Sequence, residues 1–587
     1  MDNGASNTMT MFTTLLTAAI TYYNYPDIDP NQRATNHPIW ALQEEYDFII
    51  IGAGSAGSVL ANRLSEISGW TVLLVEAGGD ETVISDTPLL NYNLWFTDMD
   101  WNYTTIPQQN ACGVTNGTCI WPRGRVIGGS SVVNDFVFAR GNRWDYNNWA
   151  DMGNTGWSFE DVLPYFLKSE NNKDPNTMES PFHSRDGMVS VDRSPFLTPL
   201  AQSFINAGGE MGFPYNDVNG ERQIGFMIAQ GTIINGTRCS TGKAYLRPAR
   251  RRRNLVVAMR AHATKINIDP QTKTATGITF IKDGQYMTVN ATKEVIVSAG
   301  TINSPQLLML SGIGPAEHLQ ELGITIIQNL RVGDNLHDHV GVPVMFDVQN
   351  NVTINWRSTY ENFSAILDYA KNRKGPLTTL LGVECVAFIN LNDSNFNGVP
   401  DVEFLFSTYV PTNRDGQQFV LLSFFLHPES RGTIRLRDTN PTSMPLIDPR
   451  YLTSQTDIQA GIEMLQIVYR LAQTKSLQQF RTQFNSSVYP LCSNHTNSPN
   501  EFSLCLLMQY SVTIYHPVGT CKMGPSSDPT AVVNPKLQVY GVNNLRVIDA
   551  SVIPVITSAN INSPTIMIAE RTADIIKQDH GQLPNGQ

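Results

Sequence analysis

Apolar and polar positions change their period several times along this chain, and each change marks an element. Phe48-Ile49-Ile50-Ile51 is a short unbroken apolar run that breaks into Gly52-Ala53-Gly54-Ser55-Ala56-Gly57. From Ser58 to Ser65 the apolar residues recur at helical spacing, and Thr71 to Val75 is a second apolar run. Short unbroken runs suit strands buried on both faces, and the spacing between them suits a helix. Together they predict a β-α-β unit of about thirty residues. Val295 to Gln306 repeats the strand, the turn and the helix start, and is expected in the same sheet although it comes some 240 residues later. Beyond residue 340, Val402–Ser407, Phe419–Leu426 and Gly432–Leu436 read as strands. Asp457–Leu471 reads as a helix, and Met9–Ile20 as an amphipathic helix at the start of a mature chain. The expected class is α/β: a discontinuous Rossmann-like dinucleotide domain with a strand-rich α+β second domain over the cofactor.

The length of 587 residues corresponds to roughly three to four domain-sized units, interleaved or separate. Composition narrows the function. At 41% hydrophobic and 16% charged the chain is globular, and a net charge of -11 argues against nucleic acid as partner. One basic run, five arginines from Arg247 to Arg253, reads as a solvated turn before a strand. No stretch of about 18 apolar residues exists, so no membrane span is expected. Nine Asn-x-Ser/Thr sequons, at Asn102, Asn116, Asn235, Asn290, Asn351, Asn362, Asn392, Asn485 and Asn494, point to secretion. So do seven cysteines, of which Cys112 with Cys119 and Cys492 with Cys505 bracket short loops that disulfides would close. A zinc site would need closer Cys or His spacing. Cys239, Cys385 and Cys521 are expected as buried thiols.

The glycines of the first unit have separate physical tasks. Gly52 makes the tight turn, Gly54 lets a pyrophosphate approach the backbone, and Gly57 lets helix and strand pack closely. The helix N-terminus then presents unpaired N–H groups to the phosphates. Glu76 ends the second strand, nineteen residues after Gly57, placed to accept both ribose hydroxyls. A second glycine-rich stretch, Pro122 to Asn134, offers further backbone N–H groups for close approach to a cofactor. At the other end, Tyr515-His516-Pro517-Val518-Gly519 mounts one histidine in a Pro/Gly-punctuated turn, and imidazole is the side chain poised to exchange a proton near neutrality.

These stretches resemble the glucose–methanol–choline (GMC) oxidoreductase family, in the style of its secreted arthropod members, over roughly residues 43 to 578. Gly124–Asn147 fits the first family signature and Gly300–Gly314 the second. Arg238–Thr241, Val332–His339, Val547–Pro554 and Asn560–Thr565 are further family stretches. The resemblance implies FAD as cofactor. Gly52, Gly54, Ser55, Ala56 and Gly57 would hold its pyrophosphate, and Glu76 with Ala77 its adenosine ribose. Arg125, Val126, Gly128, Gly129, Ser130 and Asn134 would run along the flavin, and Thr264 would meet the adenine through its backbone. Asp549, Ala550, Asn562 and Thr565 would close the site. Some members attach FAD through a histidine beside the asparagine matching Asn134; Val133 stands there, so non-covalent FAD is expected. The resemblance divides the chain into an N-terminal segment, 1–42, an FAD-binding region, 43–339, a substrate-domain portion, 340–426, and a C-terminal region, 427–578.

His516 aligns with the family's catalytic base and Asn560 with a second position that is His or Asn. The implied reaction is oxidation of a primary or secondary alcohol, with hydride passing to flavin N5 and the proton to His516; an amide cannot take that proton. Sugars, aromatic alcohols and cyanohydrins are the implied substrates, with oxygen or another compound as electron acceptor. The alternatives are a flavin-containing hydroxynitrile lyase and a non-redox flavoprotein of the same fold. His337 and His339 read as structural rather than metal-binding. Glu384 either anchors a substrate hydroxyl or stabilises its strand. Asp135 departs from the family pattern and either tunes the site or faces solvent.

Overall fold

Five strand ends at one level organise this molecule. Phe48–Ile51 pairs in parallel with Val72–Val75, setting Ile51 beside Val75. On its other side the same strand runs parallel to Glu294–Val297, with Ile51 beside Val297. Val297 in turn stands beside Val547 of the parallel strand Leu545–Val547. Leu255–Ala258 completes the parallel edge next to Val72–Val75. The residues just past these strand ends therefore share one rim: Gly52, Glu76, Ser298 and Ile548-Asp549. In an open parallel sheet the carboxyl ends of the strands are where ligands bind. The computed structural model describes residues 3–23, 29–391, 398–410 and 417–582; the Asn392 sequon lies outside them.

The strands behave as their apolar runs predict. Val72–Val75 is buried throughout, as is the end of Glu45–Ile51; helix Ser55–Leu64 packs against both, and strand Ala261–Asp269 approaches Val72–Val75. Gln285–Val297 is longer than its partners, and its first half turns to pair antiparallel with Thr274–Lys282, which pairs with Ala261–Asp269. Helix Ser55–Leu64 follows the first strand and packs on helix Asn562–Asp579, joined by Arg63 Nε to Glu570 Oε2 at 2.8 Å.

The second sheet is antiparallel. Its order is Gln483–Phe484, Val340–Asp347, Gln418–Phe425, Val402–Ser407, Val383–Ile389 and Gly225–Ile228, with Val512–Thr513 beside the start of Val340–Asp347. Period-two alternation divides its faces. Phe404 and Phe406 pack outward under helices such as Pro199–Glu210, where Phe204 stacks on Phe406 at 4.5 Å. Leu405 and Leu422 stand opposite each other on the inner face and look toward the parallel sheet. Both faces are covered, so Val402–Ser407 is buried along its whole length.

The amphipathic helix is present as Asn3–Tyr22, with Phe12, Leu16 and Ile20 buried at intervals of four residues. Phe12 meets Tyr360 edge-on at 4.8 Å. No described helix is long and apolar enough to cross a membrane. Disulfides join Cys112 to Cys119 and Cys492 to Cys505, and the other three cysteines are buried thiols. The arginine run is the solvated turn expected only in part. Arg247 is buried and pairs with Glu81 at 3.1 Å, while Arg252 donates to Ser65 Oγ at 2.9 Å. The Arg247 and Arg252 heads stabilise the outer side of the dinucleotide unit, while Arg251 and Arg253 face water.

Candidate active site

One cavity runs between the rim of the parallel sheet and the inner face of the second sheet. At the rim it is lined by Gly52, Gly54, Ser55, Ala56, Glu76 and Ala77, then by Gly129, Ser130 and Asn134. The glycines are required by contact as well as conformation. Gly52 has φ +98, and a Cβ there would lie 2.4 Å from Ser298 O. A Cβ on Gly129, at φ +54, would lie 2.6 Å from Gly54 Cα, so the two glycine stretches touch. A Cβ on Gly57 would lie 1.8 Å from Gly52 O, which is the close helix–strand packing expected. Gly54 caps helix Ser55–Leu64 without any side-chain hydrogen bond, leaving its first N–H groups for an anion.

Carboxylates fix the rim. Glu76 Oε2 accepts from Ala53 N and Oε1 from Gly78 N, each at 2.8 Å. A carboxylate has about four lone-pair directions, so two remain for ribose hydroxyls. Asp549 accepts from Gly300 N at 2.8 Å, Ser304 Oγ at 2.6 Å and Ser551 N at 2.8 Å, tying two rim loops together. Ser55 Oγ donates to Asn562 Oδ1 at 2.7 Å, drawing two helix starts to the same spot. Bare backbone, a free helix start and a ribose-sized acceptor are what the pyrophosphate and adenosine of FAD require, so these residues fit that cofactor.

At the far end of the cavity stand His516 and Asn560. Three consecutive residues mount them. His337 Nε2 accepts the backbone N–H of Ile556, at the base of the loop that carries Asn560, at 2.9 Å. Asp338 accepts the backbone N–H of His516 at 2.8 Å, and its other oxygen holds the hydroxyls of Thr513 and Tyr451. His339 Nδ1 lies 3.0 Å from His516 Nδ1. Tyr515 takes a left-handed backbone at φ 64, and Arg123 holds its carbonyl at 2.7 Å.

The protons in this chain are determined by its fixed end. His339 Nε2 lies 3.1 Å from Leu426 O, a carbonyl that only accepts, so Nε2 carries the hydrogen. Burial holds both His339, down to about 3, and His516, well below its ordinary value, so both rings are neutral. His339 Nδ1 is then an acceptor, and His516 Nδ1–H donates to it. His516 Nε2 is left with a lone pair, which takes Asn560 Nδ2 at 3.2 Å. Asn560 Oδ1 is buried and has no hydrogen-bond partner among the described residues. The arrangement presents a basic nitrogen and an amide donor side by side at the cavity wall.

Residues 46–341 match the N-terminal model, and 428–569 the C-terminal model, of the family described as GMC oxidoreductase. The chain is 40% identical over 569 residues to "Glucose dehydrogenase [FAD, quinone]" of Drosophila pseudoobscura pseudoobscura, covering 94% of this chain and 90% of that protein. It is 36% identical to the mitochondrial choline dehydrogenase of Mus musculus, covering 91% and 90%. The crystal structure of pyridoxine 4-oxidase from Mesorbium loti superposes with a TM-score of 0.79 at 27% identity, covering 91% of this chain and 99% of that one.

The chain belongs to the GMC oxidoreductase family. It is an FAD-dependent enzyme acting on CH–OH groups. Within this GMC oxidoreductase, Ala261, His262 and Ala263 line the cavity, and Thr264 follows them directly, its hydroxyl turned away to donate to Thr279 O at 3.1 Å. Arg125, Val126 and Gly128 also stand behind the cavity wall: Arg125 stacks over Trp101, Val126 is in the core, and Gly128 N donates to Ala53 O. Ala550 and Thr565 line the cavity as expected. Glu384 lies off the cavity, accepting from Thr198 N at 2.8 Å and Thr198 Oγ1 at 2.6 Å, so it stabilises its strand and the start of helix Pro199–Glu210. Asp135 lines the cavity. The mounting roles of His337, Asp338 and His339 escaped the sequence reading, although their stretch was singled out.

Proposed function

We propose that this GMC oxidoreductase oxidises a primary or secondary alcohol to the carbonyl, with His516 as general base and Asn560 as hydrogen-bond donor to the reacting oxygen. The observation that carries this reading is the hydrogen-bond chain from Leu426 O through His339 and His516 to Asn560. An entering hydroxyl replaces the Asn560–His516 contact: it donates its proton to Nε2 while the amide N–H moves to its oxygen. As the proton transfers, His516 becomes an imidazolium whose Nδ1–H bond to His339 is charge-assisted, and such bonds are roughly twice as strong as neutral ones. Asn560 stabilises the alkoxide without competing for the proton. The hydrocarbon ceiling of Leu405, Leu422 and Ile514 excludes water, which keeps these interactions strong. Bound FAD supplies the two-electron acceptor for the hydride.

The substrate is a sugar, an aromatic alcohol or a cyanohydrin, and the relative named for glucose and quinone supports a sugar with an acceptor other than oxygen. The FAD is held without a covalent bond: the position beside Asn134 is Val133, which offers no nucleophile. The enzyme works outside the cell, a reading supported by its two disulfides and its sequons. Anaerobic mixing of holoenzyme with a panel of these alcohols tests the reaction. Bleaching of the flavin by at least one class is expected; conversion of a cyanohydrin to aldehyde and cyanide with no bleaching by any alcohol would replace this reading with a lyase.

A further inference from the structure

Three carboxylates line the cavity: Glu76, Asp549 and Asp135. Glu76 and Asp549 spend both oxygens on the chain itself. Asp135 does not. Asn91 Nδ2 donates to its Oδ1 at 3.0 Å, and its Oδ2 takes no hydrogen bond from any described residue. The side chain is held rather than loose. Asn91 also donates to Val133 O at 2.7 Å, and its own Oδ1 accepts from Arg238 at 3.3 Å. The next residue, Phe136, has φ 67, a conformation an aromatic residue rarely takes, and its ring lies 3.6 Å from the Arg238 guanidinium. Strain of this kind persists where the surroundings over-determine it, and it concentrates at ligand sites.

We infer that Asp135 is a specificity-determining residue, whose Oδ2 accepts a hydrogen bond from a second hydroxyl of a neutral polyhydroxylated alcohol. This rests on the alcohol-oxidation reading above and names the substrate class for it. The neighbourhood favours a neutral donor over an ammonium. Arg238 already balances the carboxylate's charge through Asn91, one residue away. Burial raises the Asp135 carboxyl to about 6, so at neutral pH it is ionised and an acceptor only. The remaining wall on this side is mostly hydrocarbon and aromatic, Trp95, Phe136, Leu405, Leu422 and Ile514, with the Tyr515 phenol close enough to feel the carboxylate's charge but not bonded to it. A mono-alcohol would leave Oδ2 desolvated without a partner, whereas a polyol hydroxyl satisfies it. A buried polar group built to bond a hydroxyl rejects the analogue that lacks it.

The test compares wild type, Asp135→Ala and the near-isosteric Asp135→Asn, each as holoenzyme with its flavin content measured. The probes are D-glucose and cyclohexanol, a polyol and a mono-alcohol on six-membered rings. The expected result is a fall of about tenfold or more in the glucose-to-cyclohexanol ratio of kcat/KM for the Ala variant, and a smaller fall for Asn. Equilibrium binding gives a second readout. In a His516→Ala background, glucose binding followed by perturbation of the visible flavin band should weaken by a similar factor when Asp135→Ala is added. A ratio and a glucose Kd within twofold of wild type in both variants would overturn the inference. Should Asp135→Ala not retain flavin, Asp135→Asn decides by the same ratio. Undiminished flavin reduction by His516→Ala would count against the base assignment alone, because the binding comparison does not depend on it.

Discussion

His339 and His516 meet nitrogen to nitrogen, Nδ1 to Nδ1, at 3.0 Å across 177 residues of chain. The backbone carbonyl of Leu426 fixes the proton on the far side of His339, and that choice passes through both rings to leave the lone pair on His516 Nε2, the base proposed above. The tautomer of His516 is thus set by a carbonyl just past strand Gln418–Phe425 of the antiparallel sheet. His339→Leu removes the acceptor and the charge-assisted bond to the imidazolium. The enzyme should keep its FAD and reduce it about 10- to 100-fold more slowly in anaerobic stopped flow. A variant as fast as wild type would show that His516 is oriented by something else.

Burial, aided by His339 and Arg123, holds the His516 imidazole well below its ordinary value of 6.5. Protonation removes the lone pair, so activity is lost only as pH falls through this depressed value. Flavin reduction should therefore stay level from pH 7.5 to 6.5 and decline below that. An acid limb centred at 7 or above would be incompatible with a desolvated base.

The rim makes a prediction about cofactor retention. Gly52→Ala places a Cβ 2.4 Å from Ser298 O at a φ of +98, so the turn under the pyrophosphate must open. The purified variant should carry little FAD, read from its visible absorbance. Gly69→Ala is the control: nothing lies within 4 Å of its Cβ, and its flavin content should match wild type.

Much of this was legible locally. Phe48 to Glu76 contains its own strand, turn, helix and strand, so short-range pattern sufficed, and loop-bracketing cysteines announced both disulfides. What escaped depends on distant partners. The roles of His337, Asp338 and His339 come from Ile556 and His516, far along the chain. Arg247 looked solvated because its acidic partner, Glu81, is 166 residues away. Asp135 stood out in the sequence, but its free oxygen is visible only once Asn91 is placed.

The Cys492–Cys505 bridge closes a separation of 13 residues. In the chain-entropy model a loop of that size contributes about 3 kcal/mol. Cys492→Ser/Cys505→Ser should lower the Tm by about 2 °C while leaving the flavin spectrum unchanged, because the bridge lies away from the cavity lining. An unchanged Tm would mean that the local packing, not the bridge, secures this segment.

His516 is the side chain on which the proposed reaction turns. Rapid anaerobic mixing of saturating substrate with wild type and His516→Ala, each loaded with FAD and followed from pH 5 to 9, tests it directly. The variant is expected to keep its flavin, reduce it roughly 100-fold or more slowly, and lose the acid limb seen in wild type. Reduction at near wild-type rate, with the limb intact, would contradict it.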